Sequence, residues 1–321
     1  MLTIHKSGMQ TTVQDLGRTG FQKYGVVASG AMDAYALRIA NLLVGNEEHA
    51  AALEITLMGP SIHFNEDHVI SICGGDLTPQ LDGKTIGNCR TINAAKGQTL
   101  TFGKPRSGSR CYLAIAGGIA VPEVMGSRST YLLAGLGGYQ GRALESGDQL
   151  VIGETSADQK SAAHGKSWFV PPPSYSSAPV IRVIKGRQFE AFSEASRKHF
   201  LSETFIVTPQ SDRMGYRLDG SRLALAAAQE MISEAVAFGS IQVPADGNPI
   251  ILMADRQTTG GYPKIAEVIT VDLPLISQLK PGDHLRFNEV SIEEAQRLLK
   301  LQENKINCLK RAIALKKEET G

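Results

Sequence analysis

With 321 residues, the chain is too long for one ordinary hydrophobic core and comfortable for two domains. Its 42% hydrophobic and 20% charged residues exclude wholesale disorder, and 33 basic against 32 acidic residues give no electrostatic reason to expect nucleic acid or an anionic membrane as partner. The opening Met1-Leu2-Thr3-Ile4-His5-Lys6 has no long apolar run, no stretch is long enough to span a bilayer, and Cys73, Cys89, Cys111 and Cys308 lack CxxC spacing, so zinc and thioredoxin-like centres are disfavoured and a cytoplasmic chain with unpaired thiols and no metal is expected.

In chain order, Thr11–Arg18 is polar but carries no specific mechanism. Asp33–Val44 predicts a helix, with Ala36, Ile39, Ala40 and Leu43 on one face, Asp33 as N-cap and Gly45-Asn46 as stop. Short apolar runs bounded by Gly, Asp, Asn and Pro then predict strands: His68–Cys73, Thr99–Phe102, Cys111–Ala116 and Gln149–Ile152. Leu81-Asp82-Gly83-Lys84 reads as a hairpin, because Asp-Gly tolerates positive φ. Glu154–Ala178 changes character to Ser, Ala, Lys and Gly, followed by Pro171-Pro172-Pro173, and predicts a linker over 156–179. Further strands are expected at Val180–Ile184, Ile241–Val243, Ile250–Met253, Val268–Val271 and His284–Phe287, with a short helix pattern at Arg217–Ala228. Ser291–Lys317 predicts a long charged helix, read as solvated, with a partner-binding helix as the competing reading. The boundaries are therefore 1–155 for a first domain, 156–179 for the linker, 180–290 for a second domain and 291–321 for a helical tail.

The two domains can be laid over each other. Ser29-Gly30-Ala31-Met32-Asp33 corresponds to Ser211-Asp212-Arg213-Met214-Gly215, Leu53-Glu54 to Ser233-Glu234, and Leu144–Leu150 to Leu279–Leu285, all in the same order. A duplicated, many-stranded unit with one short helix implies a mainly β fold with a few helices, as paired barrels or sandwiches.

The densest polar stretch is Asp255–Lys264. Gly260 and Gly261 let backbone N–H groups approach a ligand. Gln257, Thr258, Thr259 and Tyr262 supply neutral hydrogen-bonding groups, and Lys264 adds a cation, a set suited to an amide, ureido or carboxylate group. The competing reading is a hydrogen-bonded surface turn. In Asp212-Arg213-Met214-Gly215, Arg213 suits a carboxylate clamp, against a salt bridge with Asp212 that merely fixes the loop. In the first domain, Ser127-Arg128-Ser129-Thr130 suits an anion or simply ties down a crossover. No Walker A loop, dinucleotide fingerprint, G-x-S-x-G elbow or H-E-x-x-H set occurs.

At these stretches the chain resembles a known family. Thr11–Arg18, Ser29–Asp33, Gly117-Gly118-Ile119, Gly126–Thr130, Asp212–Gly215 and Gln257–Pro263 are similar to motifs of the biotin-dependent carboxyltransferase A/B family, also called allophanate hydrolase subunit 2, from about residue 3 to 290. The family includes KipA and the C subunit of bacterial 5-oxoprolinase. The resemblance implies two tandem cyclophilin-like β-barrel domains. It implies a KipI-like partner (the B subunit of 5-oxoprolinase) and a third partner, the A subunit, with which the set hydrolyses 5-oxoproline to glutamate at the expense of ATP. Two other roles are implied for family members: a KipI antagonist in a sporulation-kinase pathway, and half of a urea carboxylase carboxyltransferase whose site is shared with a partner half. On the enzymatic reading the chain is not active alone. Arg213, Gln257, Thr258, Tyr262 and Lys264 would then bind or polarise a small amide substrate, and Asp212 and Asp255 are bases by position only. Many members carry Gly-Pro-Gln where this chain has Gly186-Arg187-Gln188, and no biotin-carrier Met-Lys-Met or ATP-grasp region is present. The site is expected on the second domain, because the first has no equally polar counterpart of Gln257–Tyr262.

Overall fold

Alternating buried and exposed side chains, as in Ser61–Phe64 and His284–Glu289, turn most of the predicted apolar runs into strands. The computed structural model describes residues 1–155, 169–227, 229 and 231–318. Residues 156–168 of the predicted linker lie outside these described residues. The chain divides into two units. One gathers Met1–Arg18, Ser29–Ser174 and Lys305–Gly321, and the other Thr19–Ala28 and Tyr175–Asn304. The sequence boundaries thus change in two places: 19–28 groups with the second unit, and the end of the C-terminal helix with the first.

The first unit holds a six-stranded sheet in the order Gln149–Leu150, Leu2–Lys6, Ser61–Phe64, Thr99–Phe102, Pro79–Leu81, Lys84–Thr85. Its second sheet has five strands, Gln10–Gln14, Ala52–Thr56, Ser107–Ile115, His68–Asp76 and Ile92–Ala94. Leu2, Ile4, Leu53, Ile62, Phe64, Ile72 and Leu113 fill one core. A second core forms where helix α1 (Ala34–Leu43) lies on the five-stranded sheet, burying Leu37 and Ala40 with Val69, Tyr112 and Ala114. Asp33 caps α1 as expected, accepting from the Ala36 N–H at 2.9 Å. The Asp82-Gly83 hairpin also forms, with φ of +49° and +76°.

The second unit is a closed seven-stranded barrel in the order Val180–Lys185, Lys264–Val268, Ser240–Gln242, Ile250–Leu252, Gly215–Asp219, Phe205–Val207, His284–Glu289. Its aromatic core joins Phe205 and Phe287 to Phe200 of helix α2 (Glu194–Ser202), with Phe200 and Phe287 stacked at 4.5 Å. A separate ribbon pairs Glu234–Ala235 with Thr259–Gly260. A short helix α3 (Leu273–Ser277) precedes the last strand.

The duplication is visible in a shared turn. Gly147 and Gly282 both have positive φ, and the following Asp148 and Asp283 accept from the N–H groups of Glu145 and Lys280 at 2.7 and 3.1 Å. Three local expectations change. Within the helix pattern expected at Arg217–Ala228, the described residues 217–227 are not helical: Gly215–Asp219 is a barrel strand between Ile250–Leu252 and Phe205–Val207, where tertiary pairing overrides the Ala/Leu propensity. The strand predicted at Val268–Val271 ends at Val268, and Thr270–Asp272 forms a 3-10 turn. The C-terminal helix α4 (Ile292–Glu318) is not simply solvated, since Ile306 and Ile313 are buried in the α1 core of the first unit. Among the described residues, no helix is long and apolar enough to cross a membrane.

Candidate functional site

The polar stretch after Ile250–Leu252 folds back as one strand of the ribbon, with Glu234 opposite Gly260 and Ala235 opposite Thr259. Gly260 packs against the Gln242 side chain, whose Nε2 would have to move to admit a Cβ there. The Val236 N–H donates to the Thr258 carbonyl at 3.2 Å. Gln257 and Thr259 are exposed, Gly261 is half-buried beside Ser233, and Tyr262 is 49% exposed, so this rim offers its polar side chains outward.

Behind the rim lies a charged cluster. Lys264 is only 8% exposed. Its ammonium sits 3.2 Å from Glu234 Oε1 and donates to the Ala235 carbonyl. Glu234 also accepts from Arg187 Nη1 at 2.7 Å and Gln188 Nε2 at 3.0 Å, and Gln188 Oε1 accepts from the Lys264 N–H. These donors, Gln188 first and Lys264 next, hold the Glu234 carboxyl below the usual range. Glu267, on the same strand as Lys264, behaves oppositely: burial raises its pKa, against the Ser240 hydroxyl and the nearby Lys264 and Arg256 charges. Burial also lowers the pKa of Arg256. An open cleft of about 480 Å³ adjoins the cluster, lined by the polar Arg187, Gln188, Ser233 and Glu234 and the apolar Ala191, Met231 and Ile232. A carboxyl whose proton is held more tightly by burial, beside a buried lysine, is an arrangement suited to holding or passing a proton.

Because the folded state binds the Glu267 proton more tightly than the unfolded chain does, its contribution to stability is present at low pH. That contribution is lost as pH rises above the ordinary carboxylate range. Glu267→Gln should therefore flatten the fall in stability as pH rises above the ordinary carboxylate range, in urea midpoints measured against pH, relative to wild type. A profile unchanged by the substitution would remove Glu267 from the cluster's proton balance.

Three sequence expectations take a different form. Arg213 is buried, and its Nε and Nη2 reach Asp255 at 2.8 and 3.1 Å. The carboxylate it clamps is therefore a residue of the chain, and that residue is Asp255 rather than Asp212. Asp212 is exposed and accepts from the Met214 and Gly215 N–H groups at 2.8 and 3.1 Å, shaping its own turn. Asp255, engaged by a guanidinium, is poorly placed to act as a base.

The third case is Ser127–Thr130, which does cradle an anion: the buried Asp15. The Ser127 and Ser129 hydroxyls donate to Asp15 Oδ1 at 2.7 and 2.5 Å, and the Arg128 N–H donates to Oδ2 at 2.5 Å. Thr130 Oγ1 donates to the Val13 carbonyl, while the Arg128 side chain turns to the Val121 carbonyl and Glu123. The polar Thr11–Arg18 stretch is thus the other half of this contact. Glu54, the counterpart of Glu234 in the duplication, is likewise buried, accepting from Tyr112 Oη and the Met32 N–H at 2.7 and 2.9 Å. All four cysteines are free, and no described group of three His, Cys, Asp or Glu side chains could hold a metal ion.

Residues 24–289 match the family model described as carboxyltransferase domain, subdomain A and B. This chain belongs to that carboxyltransferase family. Within the family, it is 42% identical to the C subunit of 5-oxoprolinase from Escherichia coli, over 92% of this chain and 93% of the relative. It is 37% identical to the protein of the same name from Haemophilus influenzae, over 98% of this chain and 99% of the relative. The crystal structure of Kluyveromyces lactis urea amidolyase superposes with a TM-score of 0.88 at 32% identity, over 96% of this chain but 20% of that longer protein. The family likeness thus extends over both units. Glu234 and Glu267 were not singled out in the sequence; only the position of Glu234 in the repeat pointed toward it.

Proposed function

We propose that this chain is the C subunit of an ATP-dependent 5-oxoprolinase, acting with a KipI-like B subunit and an A subunit. The observation that carries the reading is end-to-end correspondence: relatives named as the C subunit of 5-oxoprolinase align over 93% and 99% of their own length, whereas the urea amidolyase of Saccharomyces cerevisiae aligns over 17% of its length. Identity points the same way, at 42% and 37% to these two relatives against 35% to the urea amidolyase. ATP is a co-substrate of the assembled complex, and this chain has no phosphate-binding glycine loop of its own.

In the proposed chemistry, the γ-phosphoryl group passes to the lactam oxygen and ADP leaves. A first water adds to the activated carbon and loses a proton, and the ring C–N bond breaks with its nitrogen protonated, leaving an acyl phosphate; a second water then adds to that carbonyl, phosphate departs and the glutamate carboxylate is left. This chain's part is electrostatic. The Lys264 ammonium and the N–H and hydroxyl donors of the Gln257–Tyr262 rim stabilise charge developing on the lactam, and Glu267 holds or moves the proton. The test is glutamate release from 5-oxoproline by the co-purified subunits. Release should require ATP and this chain, and Lys264→Ala should slow it by about 100-fold while the subunits still co-purify. Activity that persists without this chain would defeat the proposal, and full activity in Lys264→Ala would remove that residue from the site.

A further inference from the structure

We propose that the cleft beside the Glu234 cluster is a binding site for a small monocarboxylate with a compact apolar body, anchored by Arg187. The turn that carries Arg187 is pinned to the barrel. The Gly186 N–H donates to the Ile265 carbonyl at 2.9 Å, and the Gln188 N–H to the Lys264 carbonyl at 3.2 Å. A Cβ on Gly186 would lie 2.4 Å from the Lys264 carbonyl oxygen, so the backbone there is fixed by contact. The guanidinium itself is 76% exposed and is held at one nitrogen, Nη1, by Glu234. Arginine carries five N–H donors in a planar fork, so the remaining edge is available for a second, bidentate partner. Glu234 keeps Gln188 and Lys264 as donors if Arg187 swings toward a ligand.

The same geometry selects the ligand. Ala191, Met231 and Ile232 add apolar side chains to the lining beside the charged residues, which suits a short aliphatic or ring body. Glu234, 2.7 Å from the guanidinium, repels a dianion such as phosphate more than a monoanion. Proline at this position would offer neither a side-chain nor a backbone N–H donor, so Arg187→Pro removes the anchor.

The choice of probes rests on the proposed 5-oxoprolinase role, but the site does not. Isothermal titration of the full chain, alone and in the co-purified complex, would compare 5-oxo-L-proline, L-glutamate, 2-pyrrolidinone and inorganic phosphate. 5-Oxo-L-proline, the monocarboxylate with a compact ring, should bind, and the dicarboxylate L-glutamate should bind more weakly. The uncharged lactam and phosphate should bind at least about tenfold more weakly. Arg187→Ala and Arg187→Pro should each weaken carboxylate binding by about tenfold or more, with Arg187→Lys between them and wild type. The inference is overturned if both variants bind like wild type, if 2-pyrrolidinone or L-glutamate binds as tightly as 5-oxoproline, or if 5-oxoproline binds neither chain nor complex. Turnover measured in parallel separates the two readings. An active complex with Arg187-independent binding sinks this site alone, and Arg187-dependent binding in an inactive complex sinks the 5-oxoprolinase role alone.

Discussion

Asp15→Ala should lower the unfolding free energy by about 3–5 kcal/mol, seen as a fall in the urea midpoint with little change in slope. Asp15 is 7% exposed and serves as the acceptor for two hydroxyls and for the Arg128 and Gly17 N–H groups. Its removal leaves these donors facing a cavity. The hydroxyls can rotate to new acceptors, but the two N–H groups are fixed by the backbone, and each unsatisfied buried donor costs about 1–3 kcal/mol. Asp15→Asn should recover only part of this, since an amide NH2 placed where Oδ1 or Oδ2 now sits would face a donor. A loss below about 1 kcal/mol for the alanine variant would mean the Ser127–Thr130 segment is held by something other than this carboxylate.

The contrast between Asp15 and the features read correctly explains what a sequence makes visible here. The α1 cap, the Asp82-Gly83 hairpin and the duplicated Gly-Asp turns are local: the residue that imposes the conformation sits within three positions of the group it satisfies. Strand existence was legible for the same reason, since alternation is a short-range pattern. The chemistry was not. Ser127 and Asp15 are 112 residues apart, Arg187 and Glu234 are 47 apart, and Arg213 and Asp255 are 42 apart. In each case the sequence displays a group able to bind an anion but not whether the anion comes from the chain itself. Helix α2 was missed because Phe200 is its one large buried side chain, leaving little apolar period to detect. Its cap, Ser193 accepting from the Ser196 N–H, was the signal present. The rim Gln257–Tyr262 was legible as polar and glycine-rich, whereas its neighbours Glu234 and Lys264 converge only because the ribbon and the barrel bring them together.

Arg213 and Asp255 allow the sharpest separation of scaffold from site. Both side chains are 6% exposed, and they link the Gly215–Asp219 and Ile250–Leu252 strands at a point where the Asp255 N–H also donates to the Arg213 carbonyl at 2.8 Å. Removing one partner strands a buried charge, so Arg213→Ala or Asp255→Ala should each cost about 3–5 kcal/mol. Removing both together strands neither, and Arg213→Met combined with Asp255→Leu should cost much less than the sum of the single losses. The coupling measured in this cycle should therefore be large and favourable. A substrate clamp behaves differently: Arg213→Ala would then raise KM for the carboxylate substrate while leaving the melting temperature and the Asp255 variants' stability unaffected. Non-additive stability with unchanged KM in the surviving variants assigns the pair to the barrel scaffold rather than to the site.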